Sequence, residues 1–132
     1  MREHTIRVIS HCAFFLSTTS PTIPAMEQAP TDRLTKLQRM LEKTPADPFL
    51  LYGIALEYKK AGNASQALEY LNKVIGVDPG YCYAHHQRGL VYESTGDMDS
   101  ARKSYREGIE AAKRTGDAHA QGEIEGALQM IE

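Results

Sequence analysis

Two stretches of the chain, AGNASQALEYLNKVIGVDPG at residues 61–80 and TGDMDSARKSYREGIEAAKR at residues 95–114, repeat one pattern although they share little composition. In each, a Gly is followed five residues later by an Ala and four residues after that by a bulky side chain. At an offset of 34 residues, six pairs match in order: Ala55 with Gly89, Tyr58 with Tyr92, Gly62 with Gly96, Ala67 with Ala101, Leu71 with Tyr105, and Ile75 with Ile109. This recurrence indicates one structural unit used twice.

The spacing within a unit predicts two helices joined by a tight turn. Asp47 can cap the first helix, and Pro48 suits its first turn, where no backbone N–H is needed. Gly62 supplies the backbone freedom of the turn. Asn63 then caps the second helix, with Gln66 as a capping-box partner. Apolar residues recur at helical spacing: Leu51, Ile54, Ala55 and Tyr58 on the first helix, and Ala67, Leu68, Leu71, Val74 and Ile75 on the second.

Small residues occupy the positions where two helix backbones must approach closely. We expect Ala67 to pack near Ala55, and Ala101 near Gly89. A larger side chain at these positions would force the helices apart, because protein interiors are close-packed.

A chain of 132 residues suits one domain with a modest core. The predicted domain spans residues 26–132, with a leading helix at 31–44, repeats at 48–79 and 82–113, and a capping helix at 117–131. The leading helix matches the second helix of a unit, since Leu37, Leu41 and Pro45 stand 34 residues before Leu71, Ile75 and Pro79. A capping helix is expected because repeat arrays otherwise expose an apolar face at their ends.

This order of a small residue, Tyr, Gly, Ala, a bulky residue and Pro at a 34-residue spacing resembles the tetratricopeptide repeat family over residues 31–132. The positions that carry the resemblance are Ala55, Tyr58, Gly62, Ala67, Pro79, Gly89, Tyr92, Gly96, Ala101 and Tyr105. The resemblance implies an all-α fold of right-handed, antiparallel helix-pair repeats, with about two repeats between the leading and capping helices.

The sequence departs from the family pattern at a few positions. The usual Trp is Leu51 in one unit and His85 in the other, and Gly108 and Lys113 replace a late Ala and Pro. Arg88 occupies a normally apolar position, where its stem is expected to pack while its charged head reaches water.

The resemblance also implies a concave groove, lined by the first helix of each unit, that holds a peptide or a helix of a protein partner. Its side chains would be Phe49, Tyr52, Leu56, Lys59 and Lys60 from the first unit, and Tyr83, His86, Gln87, Leu90 and Glu93 from the second. Aromatic residues suit such a surface because they offer large contact area. Alternatively, Phe49, Leu56 and Leu90 pack against neighbouring helices, whereas Tyr52, Tyr83 and His86 favour the groove.

One binding mode of the family, a clamp of Lys, Asn and Arg around a peptide carboxylate, is not expected here. The positions of its first Lys and Asn hold Tyr52 and Leu56, and that of the next Asn holds Gln87. An apolar groove with Lys59 and Lys60 at one edge favours an amphipathic or mildly acidic partner segment instead.

Neither a metal site nor an enzyme is predicted. Cys82 and His86 are one helical turn apart, as are His119 and Glu123, but neither pair supplies the three or four ligands of a zinc site. The sequence has no Gly-rich phosphate loop, no His-Glu-x-x-His and no recognisable nucleophile arrangement. No cofactor is expected, and a metal-dependent sensor built on Cys82, His85 and His86 remains only an alternative.

The sequence therefore predicts a non-catalytic adaptor or scaffold that binds a protein partner, with a homodimer that occupies its own groove as the main alternative. A net charge of −2 argues against nucleic acid, and no apolar run is long enough to span a membrane. Two distant cysteines favour reduced thiols and a cytoplasmic location. Residues 1–25 are expected to be a disordered tail or a mis-assigned start, with export as the weaker alternative because their apolar patch is interrupted.

Overall fold

The computed structural model describes residues 31–132, which form six α-helices and no strand. The helices are α1 (Asp32–Lys43), α2 (Pro48–Lys60), α3 (Ala64–Val77), α4 (Cys82–Ser94), α5 (Met98–Thr115) and α6 (Ala118–Ile131). Each helix packs against the next, and α4 also contacts α6. The predicted all-α architecture is confirmed for this part of the chain, whereas the prediction for residues 1–25 lies outside the described residues.

Side-chain caps start five of the six helices. The side chains of Thr31, Asp47, Asn63, Asp97 and Asp117 each accept a hydrogen bond from a backbone N–H in the first turn of the helix that follows. The capping box predicted for Gln66 is wrong, because the Asn63 N–H donates instead to the carbonyl of Tyr58 at 2.9 Å.

The turn between the two helices of each unit uses a left-handed glycine. Gly62 and Gly96 have φ of 80° and 85°. The N–H of the residue after each glycine donates to the carbonyl of Tyr58 or Tyr92, at 2.9 and 3.0 Å. This is the six-to-one bond of a Schellman turn, and it explains why the units match at these positions.

Two clusters of buried side chains form the core. The first joins α2, α3 and α4 through Leu51, Ala55, Ala67, Leu71, Val74, Ala84 and Val91. The second joins α4, α5 and α6 through Cys82, Ala101, Tyr105, Ile109, Ala111, Ala112, Ala120 and Ile124. Because α4 contributes to both clusters, its position depends on both units.

The two units fill the space between their helices differently. The first pairs Ala55 with Leu71, and the second has Gly89 and Tyr105 at the same positions. A Cβ on Gly89 would overlap ring carbons of Tyr105, so the smaller residue makes room for the larger ring. The three atoms nearest to a Cβ on Gly89 all belong to Tyr105, and the expected packing of Ala101 near Gly89 stays a prediction.

Arg88 lies in a polar network between α3, α4 and α5. Its side chain is only 14% exposed. It donates to Asn72 Oδ1 at 2.9 Å, to Ser104 Oγ at 3.0 Å and to the carboxylate of Glu107. The prediction that its charged head reaches water is therefore wrong, because α3 and α5 supply enough acceptors to bury a guanidinium.

His85 adjoins this network and is itself buried. Its Nε2 lies 3.3 Å from the carbonyl of Pro79, and its Nδ1 lies 3.4 Å from the guanidinium of Arg88. The neutral tautomer with the proton on Nε2 satisfies both contacts. Burial, with Arg88 and Arg114 nearby, lowers the pKa of His85, although the bond to Pro79 and the charge of Glu107 act in the opposite direction.

The pairing of Gly89 with Tyr105 can be tested with a double-mutant cycle. Gly89→Ala should lower the free energy of unfolding by about 1–3 kcal/mol, because the added methyl group overpacks the contact. Tyr105→Leu should also destabilise the protein. The double variant recreates the Ala–Leu pair of the first unit, and so should be more stable than the sum of the single effects predicts. Urea denaturation measures all four proteins, and effects that add to within about 0.5 kcal/mol would contradict the pairing.

The buried His85 should make stability depend on pH. Its pKa is lower in the folded than in the unfolded protein, so the unfolded state binds more protons and stability falls as the pH drops through about 6.5. Burial lowers the pKa of His86 as well, which adds to the trend. Urea denaturation between about pH 7.5 and 5.5 should show a smaller loss of stability for His85→Gln than for the parent protein. If His85→Gln lost as much stability on acidification as the parent protein does, the buried His85 would not be the source of the pH dependence.

Candidate partner-binding groove

The ten predicted groove residues lie on α2 and α4, and we call them the groove face. Those on α2 are Phe49, Tyr52, Leu56, Lys59 and Lys60, and those on α4 are Tyr83, His86, Gln87, Leu90 and Glu93. The two helices meet where Lys59 Nζ donates to Gln87 Oε1 at 2.6 Å. The structure therefore brings side chains of both units into contact on this face.

Tyrosines gather beside the start of α4. The ring of Tyr52 lies 5.0 Å from that of Tyr81, at an angle of 37° between the planes. Burial and the neighbouring Tyr81 raise the pKa of Tyr52 to about 12. Its hydroxyl is thus protonated at neutral pH and can both donate and accept a hydrogen bond.

Tyr81 was missed by the sequence reasoning, which placed no partner-binding residue in the loop that leads into α4. It occupies the N-cap position of α4 and makes no capping bond with its side chain. The corresponding residue of the first unit, 34 positions earlier, is the capping Asp47. An aromatic residue in place of a capping residue was the signal that could have drawn attention to it.

The apolar residues of the groove face differ in exposure. Phe49 is 69% exposed, so the alternative that it packs against neighbouring helices is wrong. Leu56 is half-buried. Tyr83 and Leu90 are half-buried against the core cluster of α4, α5 and α6, so each offers only part of its surface.

Two residues of the groove face, Glu93 and His86, contact the side chain of Tyr105 on α5. Glu93 accepts a hydrogen bond from the hydroxyl of Tyr105. His86 lies edge-on to the ring of Tyr105, with centroids 5.9 Å apart. Burial lowers the pKa of His86, which is therefore neutral at pH 7. Tyr105 thus supports the second unit's groove residues from the core side.

The two lysines of the groove face lie in different surroundings. Lys59 is half-buried, and burial lowers its pKa. Lys60 is 72% exposed, with its Nζ 3.9 Å from the buried carboxylate of Glu57. Glu57 also pairs with Arg33 Nε at 3.1 Å, so its charge is shared between two cations.

The residues predicted to maintain the repeat lie where packing or turns need them. Ala55, Ala67, Ala101 and Tyr105 are fully buried, and Tyr58 and Tyr92 pack against the two core clusters. Pro79 lies in the loop before α4 and offers its carbonyl to His85. None of these residues belongs to the groove face.

The residues weighed as metal ligands do not converge. His85 faces Pro79, whereas His86 faces Tyr105. The thiol of Cys82 lies 3.9 Å from Asp117 Oδ2, and burial and this carboxylate raise its pKa. Within residues 31–132, no three His, Cys, Asp or Glu side chains are placed to share a metal ion. Over the same range, no helix is long and apolar enough to cross a membrane.

Comparisons with known proteins agree with this architecture. The tetratricopeptide repeat family model matches residues 50–81 and 83–115. A tetratricopeptide repeat protein of Pseudomonas aeruginosa is 29% identical over 96 residues, which are 73% of this chain and 91% of the relative.

Solved structures show the same arrangement of helices. The crystal structure of a tetratricopeptide repeat domain protein from Salinibacter ruber is 33% identical, with a TM-score of 0.61 over 64% of this chain and 94% of the relative. The structure of PcrH in complex with the chaperone binding region of PopD gives a TM-score of 0.70 over 74% of each chain, but at 14% identity it shows the fold alone. Two matched repeats and a relative spanned almost completely show that this chain belongs to the tetratricopeptide repeat family.

Proposed function

We propose that the protein is a non-catalytic adaptor that holds a segment of a protein partner on the groove face of α2 and α4. The family is in general a protein-interaction fold, which supports this class of function. The observation that carries the proposal is the group of aromatic side chains along the starts of α2 and α4, of which Phe49 is 69% exposed. A cytoplasmic location is part of the proposal, since Cys82 forms no disulfide within residues 31–132.

The aromatic residues would provide most of the binding energy. Tyr52 and Tyr83 each keep part of their surface accessible, and Tyr81 packs beside Tyr52. Tyrosine rings lose little conformational entropy on binding, and their hydroxyls can pair with the backbone of a partner segment. Apolar side chains of the partner would therefore contact this end of the face.

The charges of the groove face favour a mildly acidic segment. Lys60 extends into solvent, and Lys59 uses one of its three donors on Gln87. Glu93 keeps its negative charge while it accepts from Tyr105, so the acidic residues of the segment are expected near the lysines and away from Glu93. An amphipathic segment suits this surface if its apolar residues contact the tyrosines and its acidic residues lie near the lysines.

A protein of the same fold has been solved in complex with a segment of a partner protein. PcrH, which has the same arrangement at low sequence identity, was solved in complex with the chaperone binding region of PopD. The likeness extends to the fold and not to the partner, whose identity has to come from experiment.

The proposal predicts that Tyr52→Glu with Tyr83→Glu strongly weakens partner binding. The two carboxylates remove aromatic contact area and repel an acidic segment, and we expect binding at least about thirtyfold weaker, which corresponds to the loss of one interface hot spot of about 2 kcal/mol. Partners captured by residues 26–132 from a lysate would be identified, and purified fragments of them measured by calorimetry against both proteins. Circular dichroism verifies that the variant is folded.

A matched control adds the same charge elsewhere. Met98→Glu with Met130→Glu changes two exposed residues outside the groove face and should bind as the parent does. Equal affinity of the tyrosine variant and the parent would refute binding on the groove face. Sedimentation analysis would reveal the homodimer alternative, because dissociation of a dimer by the tyrosine substitutions would show that the groove face binds a second copy of the chain.

A further inference from the structure

A cleft lies between α3 and α5, and no residue of the groove face lines it. Its volume of about 420 Å³ is within the range of pockets that bind ligands. Ile75 of α3, Pro79 of the following loop and His85 of α4 form one side. The other side is the surface of α5.

The walls of the cleft are mostly apolar although many of its residues are charged. Ile75 and Pro79 contribute hydrocarbon surface, and the methylene stems of arginines can add apolar surface at such a site. An open cleft with apolar walls and charges at its rim can accept one large apolar side chain from a partner.

Two cations mark the rim along α5. Arg106 and Arg114 both line the cleft and are eight residues apart, or about 12 Å along the helix axis. Arg114 has no ion-pair partner among residues 31–132, and the pair of Arg106 with Glu132 is exposed, with the side chains 58% and 47% accessible. Exposed pairs of this kind are weak and exchange easily.

Each acidic residue of the cleft has a cationic partner. Glu107 accepts from the largely buried Arg88. Glu110 lies 3.5 Å from Lys113 on the same helix, in a pair as exposed as that of Arg106, with the side chains 65% and 52% accessible. Among residues 31–132 the cations around the cleft therefore outnumber the carboxylates by one, and the excess charge lies at Arg114.

The helix-pair fold of the repeat does not require Arg106 and Arg114. At the matching positions of the first unit, 34 residues earlier, Asn72 and Gly80 stand in place of Arg106 and Arg114. Leu51 stands in place of His85. The first unit folds into the same helix pair without these charges, so packing does not explain them.

We propose that this cleft is a second docking surface, which binds a partner helix carrying an acidic, an apolar and an acidic residue at successive four-residue intervals. Such residues share one face of a helix, and its two carboxylates span the same distance of about 12 Å as the two guanidiniums. The apolar residue between them enters the cleft against Ile75 and Pro79. Binding here is independent of the groove face and so goes beyond the function proposed above.

The test uses a designed helix as its probe. A blocked, fluorescein-labelled 17-residue peptide based on alanine and glutamine carries Glu at positions 5 and 13 and Leu at position 9. A control peptide of the same composition has both Glu residues at positions 3 and 11, on the opposite face of its helix. Fluorescence anisotropy at low ionic strength measures binding of both peptides to the protein.

The proposal predicts that the first peptide binds at least about tenfold more tightly than the control peptide. Arg106→Gln with Arg114→Gln should weaken its binding by about the same factor. Lys36→Gln with Arg39→Gln removes the same charge from exposed positions on α1 and should leave it unchanged. Tyr52→Glu with Tyr83→Glu should also leave it unchanged, which separates this surface from the groove face.

Three results would overturn the proposal: no binding of the first peptide, equal binding of both peptides, or equal binding by the arginine variant and the parent. Circular dichroism of the arginine variant shows whether the fold is intact. Because both arginines are largely at the surface, we expect an unchanged spectrum.

Discussion

The two helices of each unit approach closely, and this approach sets how the neighbouring helices can pack. In the first unit this approach is permitted by Ala55 and Ala67, both fully buried in one cluster. In the second it is permitted by Gly89, whose missing side chain leaves room for the ring of Tyr105. Because α4 belongs to both core clusters, these contacts also fix the orientation of the two faces to which we assign binding.

The second unit differs from the first by added polar side chains that hydrogen-bond with their neighbours. Tyr105 fills the space above Gly89 and donates to Glu93, which lies on the groove face. On the other side of α4, Arg88 donates hydrogen bonds to Asn72, Ser104 and Glu107. His85 contacts the carbonyl of Pro79 in the loop before α4. Half-satisfied buried groups would be costly, so a network of this kind holds its members in defined positions. The groove face and the cleft thus share α4 as a common support.

Features that depend on residues close together along the chain could be predicted from the sequence. The left-handed glycines, the caps at Asp47 and Asn63 and the buried alanines follow from the 34-residue offset and local hydrogen bonding. Arg88 was interpreted wrongly because its acceptors come from positions 16 and 19 residues away, on other helices. The cleft could not be foreseen either, since its volume depends on how α3 and α5 pack. The groove residues were placed on α2 and α4, but their binding role stays a prediction.

Binding on the groove face can be tested by an amide chemical-shift titration of the isotopically labelled protein with the binding fragment of a captured partner. We expect perturbations concentrated on α2 and α4, at Tyr52, Tyr83, Gln87 and their neighbours, with the turn at Gly96 unaffected. Perturbations confined to α3 and α5 would place this partner in the cleft and contradict the assignment of the groove face. Perturbations scattered over both core clusters would mean that the fold rearranges on binding, which would contradict a preformed groove.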